Sequence, residues 1–185
     1  MEEDIEIIKG CINGKRQYQK MLYDKYAGKM LYVCLRYTKN KDEAQDVLQE
    51  GFIKIFKNLA SFKNEGSFEG WIRRVFVNCS LEFLRNKKRT LLFEDIDEIR
   101  HHQVSENDIV GNMNAKELTA MIMSLPDGYR LVFNLFVIEG YGHKEIADML
   151  RITEGTSKSQ LAKARAHLQK LVHKSLGVNI DDKNT

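Results

Sequence analysis

The sequence predicts an all-α protein: two small helical domains joined by an acidic linker. Three observations carry that expectation. Apolar residues recur at three- and four-residue steps through most of the chain. Only 1 proline, Pro126, occurs in 185 residues, and since proline breaks helix interiors its scarcity permits long helices. Between residues 91 and 110 the periodicity stops, and Glu94, Asp95, Asp97, Glu98, Glu106 and Asp108 outnumber a single cation, Arg100. These features place a first domain at 1–90, a linker at 91–111, a second domain at 112–176 and a polar tail at 177–185.

In the first domain, residues 3–10 and 15–37 read as helices, with Ile5 and Ile8, then Met21, Leu22, Tyr26, Met30, Val33 and Tyr37 at helical steps. Thr38 to Lys41 is a polar break. Asp42 is a fair N-cap for the next helix, with Glu43 and Asp46 favourable to the dipole of its first turn. Leu48, Phe52, Ile55, Phe56 and Leu59 form its apolar stripe, and Gly51 inside it weakens the helix by ~1 kcal/mol relative to alanine. Ser61–Ser67 reads as a loop. A further helix runs from about Phe68 to Asn86, with Trp71, Ile72, Val75, Phe76, Leu81 and Leu84 inward, and ends in the basic run Arg85 to Arg89.

In the second domain, Met113, Leu118, Met121 and Ile122 mark one helix. Leu125-Pro126 starts the next, with proline at a first turn where it is tolerated, and Leu131 to Ile138 make it strongly apolar until Gly140-Tyr141-Gly142 ends it. A short helix, His143 to Leu150, is followed by a turn and a long helix from about Glu154 to Ser175.

Composition bounds the function loosely. The 43% hydrophobic and 30% charged residues describe a globular chain, not a disordered one. A net charge of +3 is by itself weak support for a nucleic-acid partner. Cys11, Cys34 and Cys79 are far apart in sequence, which argues against a zinc site or disulfide framework and for reduced thiols. No metal or cofactor is expected. No apolar run reaches the ~18 residues of a membrane span, and the acidic start has no signal core, so a cytoplasmic location is expected.

Local patterns say more. His143–Val172 has the logic of a helix-turn-helix. Ile146, Ala147 and Leu150 are buried by the short helix, Ile152 plugs the turn, and Thr153 caps the second helix, whose inward face is Leu161, Ala164, Leu168 and Leu171. Outward stand Thr156, Lys158, Ser159, Lys163 and Arg165, small donors and cations suited to phosphates and base edges in a major groove. From Gly155 to Ile180 no residue is acidic. The bland alternative is an amphipathic helix with a solvated basic face; the glycines ahead of the motif and the capped second helix favour DNA.

In the first domain, Asp42, Asp46, Gln49 and Glu50 share one side of a helix, away from its apolar stripe. They could dock on a basic protein surface, although a solvated face explains them as well. The following helix carries Arg73, Arg74, Arg85, Lys87, Lys88 and Arg89 against only Glu69 and Glu82, with Asn78 near aromatic residues. Cations, an amide and aromatics suit unstacked bases. Trp71 and Phe76 read as core, whereas Phe62 and Phe68 flank the loop.

Together these stretches resemble the extracytoplasmic-function sigma factors of bacterial RNA polymerase. DEAQDVLQE and the SF-x-x-W-I-x-R block look like the family's region two; SLPDGYR and EGT-x-KS look like its region four. The resemblance implies a transcription initiation factor with no catalytic activity. Asp42, Asp46, Gln49 and Glu50 would bind the clamp helices of the polymerase β′ subunit. The Ser61–Ser67 loop with Asn78, Arg85, Lys87 and Lys88 would recognise and help melt the promoter near the start site. Thr156, Lys158, Ser159, Lys163 and Arg165 would read the upstream element, with region four resting on the β flap. The acidic linker would thread toward the active-site cleft, and an anti-sigma factor is an expected partner.

Four positions depart from the family pattern. Arg151 stands where glycine is usual, Ser157 for a buried valine, Gln160 for an arginine, and Gly51 for a bulky apolar residue. Two other readings compete: a free-standing helix-turn-helix regulator, which has no need of the Asp42–Glu50 stripe, and a metal-dependent nuclease built on His101-His102 with Asp95 and Asp97.

Overall fold

The computed structural model describes residues 2–63, 65–91 and 113–175. The chain divides into two units, Met1–Ile96 and Asp97–Thr185. Among the described residues every regular element is helical. Residues 92–112, His101-His102 among them, and residues 176–185 lie outside the described residues.

In the first unit α1 (Glu2–Ile12), α2 (Arg16–Tyr37), α3 (Lys41–Asn58) and α4 (Phe68–Leu91) pack around one core. α2, α3 and α4 pack pairwise, and α1 lies along α2. Leu22, Met30, Tyr37, Val47, Ile55, Leu59, Ile72, Phe76 and Val77 are sealed from solvent at this centre. All three cysteines are buried as free thiols, and burial pushes the Cys34 thiol up to about 12.

Three sequence expectations are corrected here. The cap of α3 is Asn40, not Asp42: the Asn40 Oδ1 accepts from the Glu43 amide at 2.8 Å, and Glu43 reaches back to accept from the Lys39 amide at 3.2 Å. Asp42 lies in the first turn instead, where it still complements the dipole. Helix α4 runs to Leu91, past the expected stop at Asn86, and Lys87 fastens its last turns to α3 by an ion pair with Glu43. Gly51 is a packing requirement. A Cβ there would lie 2.1 Å from Phe76 Cε1, and Phe76 is wholly buried with its ring set edge-on to Phe52 at 5.3 Å. The missing side chain is what lets α3 and α4 approach.

In the second unit α5 (Met113–Met123), α6 (Asp127–Phe133), α7 (His143–Leu150) and α8 (Glu154–Ser175) enclose a smaller core of Ile122, Leu125, Ala164 and Leu168. Met121, Tyr129, Phe133 and Ile138 close over it. Pro126 is the N-cap of α6, just ahead of its first turn. The buried Arg130 guanidinium is held by Asp127 at 3.0 Å and donates to the Met123 carbonyl at 3.2 Å. After Phe133 the helix does not simply continue: Asn134–Ile138 form a π-helical turn, closed by the Glu139 amide on the Asn134 carbonyl at 2.9 Å. Such turns insert one residue into the helical ladder and re-aim the side chains they carry.

Candidate polymerase- and DNA-binding surfaces

Helix α3 turns Ala44, Val47, Leu48, Gly51, Phe52 and Ile55 inward. At about 100° per residue, Asp42, Asp46, Gln49 and Glu50 fall on the opposite side, and all four are exposed. Glu50 lies at the edge of a network in which Lys54 meets Glu82 at 2.6 Å and Glu50 at 3.7 Å. Two features of this face escape a reading by charge. Ile53 sits in the midst of the acidic stripe with 48% of its surface exposed, an apolar patch among charges. Beside Gln49 opens a groove of about 390 Å³ between α2 and α3, lined by Tyr23, Ala27, Gly28, Leu31, Gln45 and Leu48. A helical-wheel projection already places Ile53 on the polar side of α3; the groove needs α2 in place.

Helix α4 separates the basic residues that sequence reading grouped together. Arg74, Asn78 and Arg85 are exposed and stand on one ridge, with the half-buried Trp71 at its head. Trp71 stacks on Phe68 at 5.9 Å, and Phe62 packs on both, so the loop is pinned to the start of α4 by an aromatic cluster. Phe76 is core. Lys87 lies on another side of the helix, half-buried against Glu43. Burial raises the Glu43 pKa, but the Lys87 ammonium, the Lys39 amide and the Asn40 side chain outweigh it and hold the carboxyl below its usual range. The side chain of Lys88 lies outside the described residues.

In the second unit, α7 and α8 form the expected helix-turn-helix. Glu145 reaches back to accept from the Gly142 amide at 2.8 Å and so caps α7. The turn takes Arg151 through the left-handed region at φ 56°, ψ 48°, where a Cβ costs about 1–2 kcal/mol. Thr153 caps α8, its hydroxyl accepting from the Thr156 amide at 3.0 Å.

Ser157, Leu161, Ala164 and Leu168 are the buried line of α8, with Leu171 half-buried beyond them. Ser159 points almost directly away from that line, with Lys158 and Lys163 on either side of it, all exposed. Thr156 and Arg165 mark the two edges of the outward face. The Thr156 hydroxyl is engaged with Thr153 Oγ1 at 2.8 Å, and the Arg165 guanidinium lies over the Phe136 ring at 5.9 Å. Lys158 pairs with Glu154 at 2.7 Å. Ser157 is fully buried and shares a 2.9 Å hydrogen bond with His143 Nδ1, a polar partner in place of the looser packing its small size suggests. Gln160 lies against Gly128 of α6, where a Cβ would come within 3.1 Å of its Nε2.

Two models of one family match the chain, one on the unit that carries the acidic face of α3 and one on the unit that carries the capped α8 with its basic outward face. The sigma-70 region 2 model matches residues 22–90, and the sigma-70 region 4 model matches residues 115–168, together about two thirds of the chain. The chain belongs to the sigma-70 family, in its extracytoplasmic-function group. It is 25% identical over 180 residues to the RNA polymerase sigma-H factor of Pseudomonas aeruginosa, covering 91% of this chain and 93% of that one. It is 29% identical over 160 residues to the ECF RNA polymerase sigma factor SigW of Bacillus subtilis, covering 80% and 86%. Among solved structures, the sigma factor RpoE of Bartonella quintana, crystallised with the anti-sigma factor NepR, has the same fold at TM-score 0.54 and 18% identity, covering 83% of this chain and 95% of that one. Family membership excludes the free-standing regulator: such a protein has no use for region two. Among the described residues no helix is long and apolar enough to cross a membrane.

Proposed function

We infer that this chain binds core RNA polymerase and directs promoter recognition, DNA melting and transcription initiation, acting in the cytoplasm without catalytic chemistry of its own. The observation that carries the reading is the presence of both sigma regions, in order, on separate helical units. The units are taken as 1–90 and 112–176, joined by the acidic segment 91–111 and followed by the tail 177–185.

The acidic face of α3 is the polymerase-binding surface. Asp42, Asp46 and Glu50 supply charge for a basic partner, here the β′ clamp helices, while Gln49, Ile53 and the adjoining groove supply apolar area and hydrogen bonds. Charge of this kind steers encounter, and the apolar patch contributes the burial that holds the complex. The ridge of Arg74, Asn78 and Arg85, headed by Trp71 and the aromatic loop, faces the downstream promoter element. Lys87, held by Glu43, acts mainly by fixing that ridge.

In the second unit Ser159, Lys158 and Lys163 read base edges in the major groove, while Thr156 and Arg165 meet the flanking phosphates. This unit rests on the β flap. Each DNA contact alone is weak. Polymerase binding presents both units to one promoter, so the second contact forms at a raised effective concentration. Capture of unstacked bases then favours the melted duplex. An anti-sigma factor that covers the acidic face of α3 would hold the chain inactive.

The residue assignments are tested by transcription with core polymerase from promoters mutated in one element at a time. Lys163→Ala and Ser159→Ala should reduce initiation from the intact promoter and lose sensitivity to upstream-element mutations. Asn78→Ala and Arg85→Ala should do the same for the downstream element. Equal loss of sensitivity to both elements in every variant would refute the division of labour.

A further inference from the structure

Arg165 is the one outward cation of α8 whose guanidinium lies over an aromatic ring among the described contacts. That ring belongs to Phe136, on the π-helical turn just beyond the fully buried Val132 and Leu135. Phe136 is itself braced. The His143 imidazole stacks on it, centroid to centroid 4.5 Å with an interplanar angle of 22°. On its Nδ1 side the imidazole is held by the Ser157 hydroxyl at 2.9 Å, and Ser157 is fully buried. Ser157, Leu161 and Arg165 stand one above another on α8 at steps of four. The chain of contacts therefore leaves α8 at Ser157, passes through His143 and Phe136, and returns to α8 at Arg165, eight residues on.

An arginine side chain on a helix surface samples many rotamers, and holding one of them costs entropy when it meets a ligand. An aromatic face beneath the guanidinium attracts it through the ring quadrupole and narrows those choices, while leaving its N–H groups directed outward. A fixed guanidinium at the edge of a recognition helix suits a phosphate, which it can meet with two parallel hydrogen bonds.

We propose that Phe136, braced by His143 and Ser157, is a positioning residue that presents the Arg165 guanidinium to a phosphate of the upstream promoter element. The proposal rests on the reading of α8 as the DNA-reading helix. It also gives Ser157 a purpose: a valine at this position would pack as well but could not hold the imidazole. The π-helical turn contributes by re-aiming Phe136 toward α7 and α8.

The test uses the full chain with core polymerase on duplex promoter DNA, measuring affinity across a salt series. Arg165→Ala should lower affinity and reduce the slope of log affinity against log salt by about 0.9, one phosphate contact. Phe136→Leu should cost about threefold, the scale of an exposed cation–π contact, while Phe136→Tyr, which keeps a ring face, should bind like the wild type. His143→Leu, which keeps the Phe136 ring and removes its brace, should also lose affinity about threefold. The deciding comparison is the double variant: Phe136→Leu with Arg165→Ala should bind no worse than Arg165→Ala alone. A purely structural role for Phe136 would instead give losses that multiply, and that result would overturn the proposal. So would wild-type affinity in both Phe136→Leu and His143→Leu. If Arg165→Ala changes neither affinity nor salt slope, the phosphate role of Arg165 fails together with the proposal built on it. Should Phe136→Leu fail to fold, the His143→Leu and Arg165→Ala pair supplies the same comparison.

Discussion

Replacing Gly51 by alanine sets two effects of opposite sign against each other. Alanine is the better helix former by about 1 kcal/mol, so by local propensity Gly51→Ala strengthens α3. Against this, the added methyl would lie 2.1 Å from Phe76 Cε1 and 2.5 Å from Cδ1, far inside contact distance. Phe76 cannot swing aside into solvent, because it is fully buried and Phe52 packs edge-on against it. Relief must come from moving α3 and α4 apart or from straining the ring, and overpacking of this kind costs about 1–3 kcal/mol. An overlap with a ring locked on its other side belongs at the upper end, so the net expectation is a loss of about 2 kcal/mol. Trp71 is the single tryptophan and lies in α4, so its fluorescence reports the first unit. Urea unfolding followed by Trp71 should show a lower midpoint for Gly51→Ala at unchanged slope. Combining it with Phe76→Leu, which removes the ring edge, should cost less than the sum of the two single losses. A midpoint equal to or above the wild type in Gly51→Ala would refute the argument and leave Gly51 a mere weakness of the helix.

Three further outcomes follow from the same geometry. Arg151→Gly relieves the left-handed turn between α7 and α8 and should stabilise the second unit by about 1 kcal/mol, seen as roughly fivefold slower exchange of α8 amides. Thr153→Ala removes the acceptor for the Thr156 amide and should cost about 1 kcal/mol, speeding exchange in the first turn of α8 while leaving α3 unchanged. Glu43 has a folded-state pKa below its usual value near 4.5, so its stabilising contribution is present above that value and is lost as pH falls through the lower folded-state value. The urea midpoint by Trp71 fluorescence should therefore drop less between pH 7 and pH 4 in Glu43→Gln than in the wild type, and an equal drop would remove Glu43 from the account.

Much of this architecture was legible in the sequence because amphipathic helices announce themselves by period. Among the described residues, the α-helices fall where apolar spacing, Pro126 and the glycines around Tyr141 place them. What the sequence left out depended on neighbours distant in sequence. Gly51 reads as a defect until Phe76 of α4 is set beside it. Ser157 reads as a packing deficit until His143, fourteen residues earlier, supplies a partner. Lys87 enters a charge count as one more cation, because such a count carries no direction; its ion pair with Glu43 on another helix shows only in the fold. Asn40 and Asp42 both offer a capping oxygen two residues apart, and periodicity does not resolve a helix start so finely. The π-helical turn left no mark in the apolar pattern, because the helix ends with it and no later turn follows to show the shifted phase. The outward residues of α8 were found as a set, but their division into centre and edges required the buried line of that helix.

The central claim is that this chain turns core polymerase into a promoter-specific enzyme through the acidic face of α3. The most direct measurement mixes the purified chain with sigma-free bacterial core polymerase and a randomised promoter library, then sequences the run-off RNA. The account predicts transcripts whose templates share two spaced upstream motifs, and loss of those transcripts when Asp46→Lys and Glu50→Lys reverse the charge of α3. Core-independent duplex binding with no specific transcripts, or undiminished transcription by the charge-reversed variant, would contradict it.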